Sequence, residues 1–273
     1  MALGSGLVVL GILALIAVST TRQAWPAFQK EGISFVTSSD WSPNQDHYGA
    51  LAFVFGTALI SLVALVLAVP VSIGIALFVN EAGPGRIKKS TTYLIDLLAA
   101  IPSVVYGLWG LLVFAPAIQP VYEMIGSTVG RLPALNALFG GQASGKSYLT
   151  AALILAFMIT PIITSISREV INTVPAHQRE AALALGATRW ESIRSAVLPW
   201  ARGGIVGGVM LGLGRAMGET IASALVIGAS PQITLRLFAP GDAMAGRRRG
   251  VRVVGFGGVV VLGSGLVLWR WRV

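Results

Sequence analysis

The chain has 273 residues, of which 55% are hydrophobic and only 11% charged, with a mean hydropathy of +0.77. Soluble domains carry about 25% charged residues, so the composition excludes an ordinary soluble fold and points to one integral membrane domain. A formal charge of +9 would suit nucleic acid, but the basic residues fall between apolar runs, which assigns them to membrane-surface loops and excludes a nucleic-acid stripe.

The absence of cysteine rules out disulfides, haem attachment and thiolate metal sites. The two histidines, His47 and His177, stand alone in polar segments, so neither a metal site nor a cofactor is expected. The fold class is therefore all-α, a polytopic membrane protein with about six transmembrane helices.

Taken in order, residues 3–19 are just long enough to span, since a crossing needs about 20 residues. They lack a basic leader region and a small-residue cleavage site, so they read as a retained span. Residues 20–49 form a polar loop with Trp25, Trp41 and Pro43. Span two is expected over 50–79, with Pro70 placed to kink it, and span three over 92–116, with Asp96 near its start and Pro102 inside. A Pro- and Gly-rich loop, 117–147, leads to span four at 148–167, broken by Pro161. Span five is expected at 203–229 and a sixth at 253–269.

Loop charge sets the orientation. The loops 80–91 and 168–202 hold Arg86, Lys88, Lys89, Arg168, Arg179, Arg189, Arg194 and Arg202. The loops 20–49 and 117–147 hold only Arg22, Lys30, Arg131 and Lys146. By the positive-inside rule the first pair is cytoplasmic and the second external.

A long polar interruption runs from Pro175 to Pro199 and reads as two short helices joined at a hinge. Pro175 suits a first helical turn, and Glu180 to Leu185 are strong helix formers. Gly186 is a natural left-handed stop. Thr188 and Glu191 have the spacing of a capping box that restarts a helix, which Pro199 is expected to end. Glu180-Ala181-Ala182, Gly186 and Leu198-Pro199 resemble the "EAA" loop of permease subunits of binding-protein-dependent ABC importers. One departure is Ala196, where that family usually has isoleucine. The resemblance implies the type I ABC importer permease fold, with 168–202 as the cytoplasmic loop that docks into a separate ATPase subunit. Glu180, Ala181, Ala182, Gly186, Arg189 and Glu191 would be its coupling residues.

Gly140-Gly-Gln-Ala-Ser-Gly145-Lys146-Ser147 formally matches a phosphate-binding loop. That motif needs a preceding buried strand, a soluble helix and a second carboxylate, whereas here a membrane span follows. No nucleophile–base pair or paired catalytic carboxylates stand out, so the chain is not expected to be an enzyme.

In span five, Gly204, Gly208 and Gly212 repeat at four, as do Gly203 and Gly207, and Gly214 and Gly218. Such stripes let two helices approach closely in lipid. Arg215 and Glu219, four residues apart, are expected on one face of this helix, roughly 18 and 24 Å from Gly203. Arginine at the centre of a span costs about 2.5–3.5 kcal/mol even on the lenient scale, so it needs a partner, water or a ligand. The pair reads either as a structural ion pair or as an anion pathway formed by Arg215, Glu219 and Thr220.

The run Gly-Arg215-Ala-Met-Gly-Glu219-Thr220, with Ser230-Pro-Gln-Ile-Thr and Pro240-Gly, resembles the phosphate-specific branch of the family, its C-type rather than its A-type permease. This implies a second, A-type permease subunit, two ATPase subunits and a periplasmic or lipid-anchored phosphate-binding protein, in the plasma or inner membrane. Three readings stay open beside a phosphate permease: a permease for molybdate or sulfate, a membrane-bound nucleotide hydrolase using 140–147, and a purely structural subunit. Beyond Ala245 the composition collapses to Gly, Val, Arg and Trp, as a shifted frame in GC-rich codons would give. Residues 246–273 are therefore expected to be an anomalous, frame-shifted or misread tail, the alternative being a true, divergent sixth helix.

Overall fold

The computed structural model describes residues 2–39, 41–42, 47–128, 136, 138, 140, 144–228 and 233–241. The expected sixth span and the anomalous tail lie outside the described residues. Among those described, five helices are long and apolar enough to cross a membrane: Gly4–Pro26, Leu51–Glu81, Ser103–Thr128, Tyr148–Asn172 and Arg189–Met217. Among the described residues the strands are two residues each, Trp41–Ser42 antiparallel to His47–Tyr48, in the loop after span one.

Span four is the hub. Span two lays a row of residues spaced at four against it, Ala52, Gly56, Ile60, Ala64, Ala68, Ser72 and Ala76, all buried. All but Ile60 are small, which permits the close backbone approach that substitutes for a hydrophobic driving force in lipid. Ser72 Oγ donates to the carbonyl of Thr160 at 3.2 Å, beside Pro161, stitching the two proline-containing helices together. Span five packs on the other side of span four through its own glycines. A Cβ on Gly208 would meet Ile166 at 3.1 Å, one on Gly212 would meet Ile163 at 2.8 Å, and one on Gly204 would overlap Val170. The second glycine row, Gly203, Gly207 and Gly214, has nothing within 4 Å.

Several boundaries differ from expectation. Span three does not begin at 92, because residues Gly85–Ala100 form a separate helix. Ile101 is extended (φ −67°, ψ 127°), as the residue before a proline is driven to be, and the span starts at Ser103 after Pro102. The same span continues to Thr128, through residues expected in the loop. Pro199 does not end the second elbow helix, which runs on without a break into span five.

The helices that run on past Pro116 and Pro199 have a reason in common. Three π-helical turns, Phe78–Ala82, Gly110–Phe114 and Ile193–Val197, each close two residues before a proline: Pro84, Pro116 and Pro199. A proline ring collides with the carbonyl four residues back in a regular helix. A widened turn moves that carbonyl aside. At Pro116 and Pro199 the helix survives; before Pro84, Gly83 turns extended and it ends.

Candidate functional site

The knob between spans four and five is built as its residues dictate. Helix Ala176–Ala184 follows Pro175, and Gly186 takes φ +85°, a left-handed conformation that costs a side-chain-bearing residue. Thr188 Oγ1 accepts from the Glu191 N–H at 3.3 Å while Glu191 Oε2 accepts from the Thr188 N–H at 2.7 Å, so the capping box is closed in both directions. Glu180, Ala181, Arg189 and Glu191 are exposed, and Ala182 is half-buried. Leu185 is 90% exposed and Trp190 61%, an apolar crest on a polar knob.

Beneath the crest, Ala76, Ile171, Val174, Val197, Ala201 and Ile205 form a core shared by spans two, four and five. Arg179 secures the knob to it. Its guanidinium donates to the carbonyls of Val174 (3.1 Å) and Ile171 (3.0 Å) and pairs with Glu81 at 2.9 Å. Sequence reasoning counted Arg179 only as a loop charge. The available signal was an arginine placed just past the C-terminus of a span, where carbonyls lack partners.

Half-way along the fold, span five stops at Met217, and Gly218 is not left-handed (φ −82°). A six-residue helix, Ile221–Val226, restarts and packs on Ser103–Trp109, where a Cβ on Gly107 would come within 2.9 Å of the Ala222 Cα. Glu219 caps the restart: its Oε1 accepts from the N–H groups of Ile221 and Ala222, both at 3.1 Å. Thr220 Oγ1 reaches only back to the Gly218 carbonyl, at 3.5 Å.

The expectation that Arg215 and Glu219 share one helical face is thus corrected, because the helix that would align them ends between them. Among the described residues no ion pair joins them. Arg215 is exposed on the open side of span five. Sequence reasoning missed Tyr106, which spans the Pro102 break by donating to the Leu98 carbonyl at 3.0 Å.

The loop at 140–147 has a structural job. Ser147 Oγ accepts from the Thr150 N–H at 3.3 Å and caps span four, while Thr150 Oγ1 donates to the Gly145 carbonyl at 2.7 Å. Among the described residues the element before it is the helix ending at Thr128, and not a strand. Residues 237–239 finish the cap, their carbonyls accepting from the N–H groups of Tyr148 and Leu149. A nucleotide-binding loop needs that serine for a metal ion and a strand ahead of it, so the hydrolase reading is not favoured.

A membrane bundle with a cored helix–glycine–helix knob, and with an arginine in span five that is unpaired among the described residues, has the form of a transport permease. The chain belongs to the family described as the binding-protein-dependent transport system inner membrane component, whose profile it matches over residues 68–246. It is therefore a multi-pass membrane subunit of a transport system with further components. Among its relatives is the "Phosphate transport system permease protein PstC" of Mesorhizobium japonicum, 44% identical over 242 residues, covering 88% of this chain and 74% of that protein. Proteins with the same name from Haemophilus influenzae (42% identical, 88% of this chain and 76% of that protein) and Xylella fastidiosa strain 9a5c (42%, 86% and 73%) are similar to it as well.

Proposed function

We propose that this chain is the permease subunit of an ATP-driven importer of inorganic phosphate, and that Arg215 serves the anion on its way through the membrane. The observation that carries the reading is the unpaired Arg215 guanidinium at the break in a glycine-rich span. Desolvating phosphate without a counter-charge is prohibitive, and a cation held in a span without a carboxylate is unstable until an anion or water meets it. The names of the relatives supply the substrate. Glu219 and Thr220 shape the pathway by fixing the break, the carboxylate holding the short helix so that its backbone stays still while Arg215 is exchanged between the two sides.

ATP hydrolysis is assigned to two separate ATPase subunits, gripped through Glu180, Ala181, Ala182, Gly186, Arg189 and Glu191 around the Leu185–Trp190 crest. A second, A-type permease would pack on the open Gly203–Gly207–Gly214 row, and a periplasmic or lipid-anchored phosphate-binding protein would deliver substrate from outside. Uptake of radiolabelled phosphate by cells lacking their own importer, with the other subunits supplied and this gene present or absent, tests the reading. Uptake of molybdate or sulfate in place of phosphate would overturn it.

A further inference from the structure

At the same end of the bundle as the knob, a cavity of about 460 Å³ opens between span two, helix Gly85–Ala100 and span four. Its wall includes Asn80, Lys88, Lys89, Thr92, Tyr93 and Arg168. Arg168 Nη1 donates to Thr92 Oγ1 at 2.6 Å and Lys88 Nζ to the Asn80 carbonyl at 2.7 Å. Both bonds go to neutral acceptors. Among the described residues none of the three cations meets a carboxylate; the nearby acids Asp96 and Glu169 are exposed and paired with none of them, and Glu81 is taken by Arg179.

The helix that supplies the lysines adds to the imbalance. Its N-terminus has no side-chain cap and no acidic residue in its first turn, and it opens with Arg86, Lys88 and Lys89. Cations stand there against the positive end of the helix dipole, an unfavourable arrangement that an anion would relieve. The opposing negative end of span four is already met by Arg179 through the Ile171 carbonyl.

The helix that carries the lining residue Tyr93 is apolar and exposed as it runs on from the cavity. Tyr93 is 72% exposed, Leu94 60% and Leu97 62%, on a helix that is not one of the membrane-spanning set. Cations at the base of an exposed apolar face match a phosphodiester headgroup with its acyl chains above it, as for helices that lie in the interface of an anionic leaflet. A free phosphate would have no use for the leucines. We propose that the cavity seats the headgroup of an acidic glycerophospholipid, whose chains run along Tyr93, Leu94 and Leu97 and tie helix Gly85–Ala100 to the base of the knob.

The test uses the assembled transporter in mild detergent, delipidated and titrated with phosphatidylglycerol or phosphatidylcholine while bound lipid is counted by native mass spectrometry. The unaltered complex should retain phosphatidylglycerol on this subunit and shed phosphatidylcholine. With Lys88→Gln and Lys89→Gln together, phosphatidylglycerol affinity should fall about thirtyfold, whereas Lys146→Gln at the opposite end should leave it unchanged. Should the double variant not assemble, Lys89→Gln alone suffices, because its ammonium makes no hydrogen bond among the described residues; a fall of about fivefold is expected. Equal retention of both lipids, or no effect of the lysine variants, overturns the proposal. So does displacement of the lipid by inorganic phosphate, which would mark a soluble-anion site. None of these outcomes bears on whether the complex imports phosphate.

Discussion

Arg179 Nη2 stands 2.9 Å from Glu81 Oε1, so the first helix of the knob and the foot of span two are joined by charge across nearly a hundred residues of sequence. The pair is half-buried, with side chains 27% and 17% exposed. Two backbone carbonyls share the same guanidinium. Arg179→Gln should therefore cost about 2 kcal/mol, for two carbonyl hydrogen bonds and a part-exposed ion pair discounted for its solvent access. Thermal unfolding of the complex reads the loss. In a cycle with Glu81→Gln the two losses should not add; simple additivity would mean that the contact is idle.

Arg215 is expected to govern transport and leave folding alone. Arg215→Gln should abolish phosphate uptake with a normal amount of protein in the membrane, and Arg215→Lys should keep only part, since an ammonium lacks the planar fork. Immunoblots beside uptake assays separate the two effects. Normal uptake by both variants would make the residue structural.

Glu219 holds a helix start and no ion pair. Glu219→Gln keeps an accepting oxygen and should cost a few tenths of a kcal/mol, whereas Glu219→Ala removes the cap and should cost about 1 kcal/mol. A defect in uptake as severe for Gln as for Ala would show that the charge, and not the cap, is what transport needs.

Gly186→Val has open space around it, so its penalty is backbone strain of about 1–2 kcal/mol at φ +85°. The chain should still insert but fail to stimulate the ATPase. Full stimulated ATP hydrolysis by this variant would remove the knob from the coupling path.

The two glycine rows of span five should respond differently. Gly212→Leu drives atoms into Ile163 and should lower the amount of folded subunit. Gly207→Leu meets nothing within the chain, so it should fold normally and lose only its second permease, visible in co-purification. Equal behaviour of the two would mean that the outer row is not an interface.

What the sequence made legible was what is local and periodic. The apolar runs, the Gly186 stop, the Thr188–Glu191 box and the Gly204–Gly208–Gly212 row can all be read from spacing. What stayed hidden was non-local or depended on a helix continuing. Glu81 and Arg179 meet only through the packing of spans two and four. The placing of Arg215 and Glu219 on one face assumed a helix that a capping carboxylate interrupts, although glycine followed by Glu219 and Thr220 carried that cue. Pro102 and Pro199 look alike in sequence. One breaks a helix and the other does not: Ile101 turns extended before the first, whereas a π turn carries the helix into the second.

The cap on span four has a bearing on how the protein is made. The N–H groups of Tyr148 and Leu149 are closed by the carbonyls of Ala239 and Leu237, which leave the ribosome roughly ninety residues later, about 5 to 20 s at ordinary synthesis rates. Phe238, stacked on Tyr122 at 4.6 Å, seals the join. During that interval the hub helix sits in the bilayer with one end unfinished, its donors dependent on water. The bundle is thus locked from its late-arriving end, and a nascent chain halted before Leu237 should be open there to proteases and quality control even with its first five spans in place.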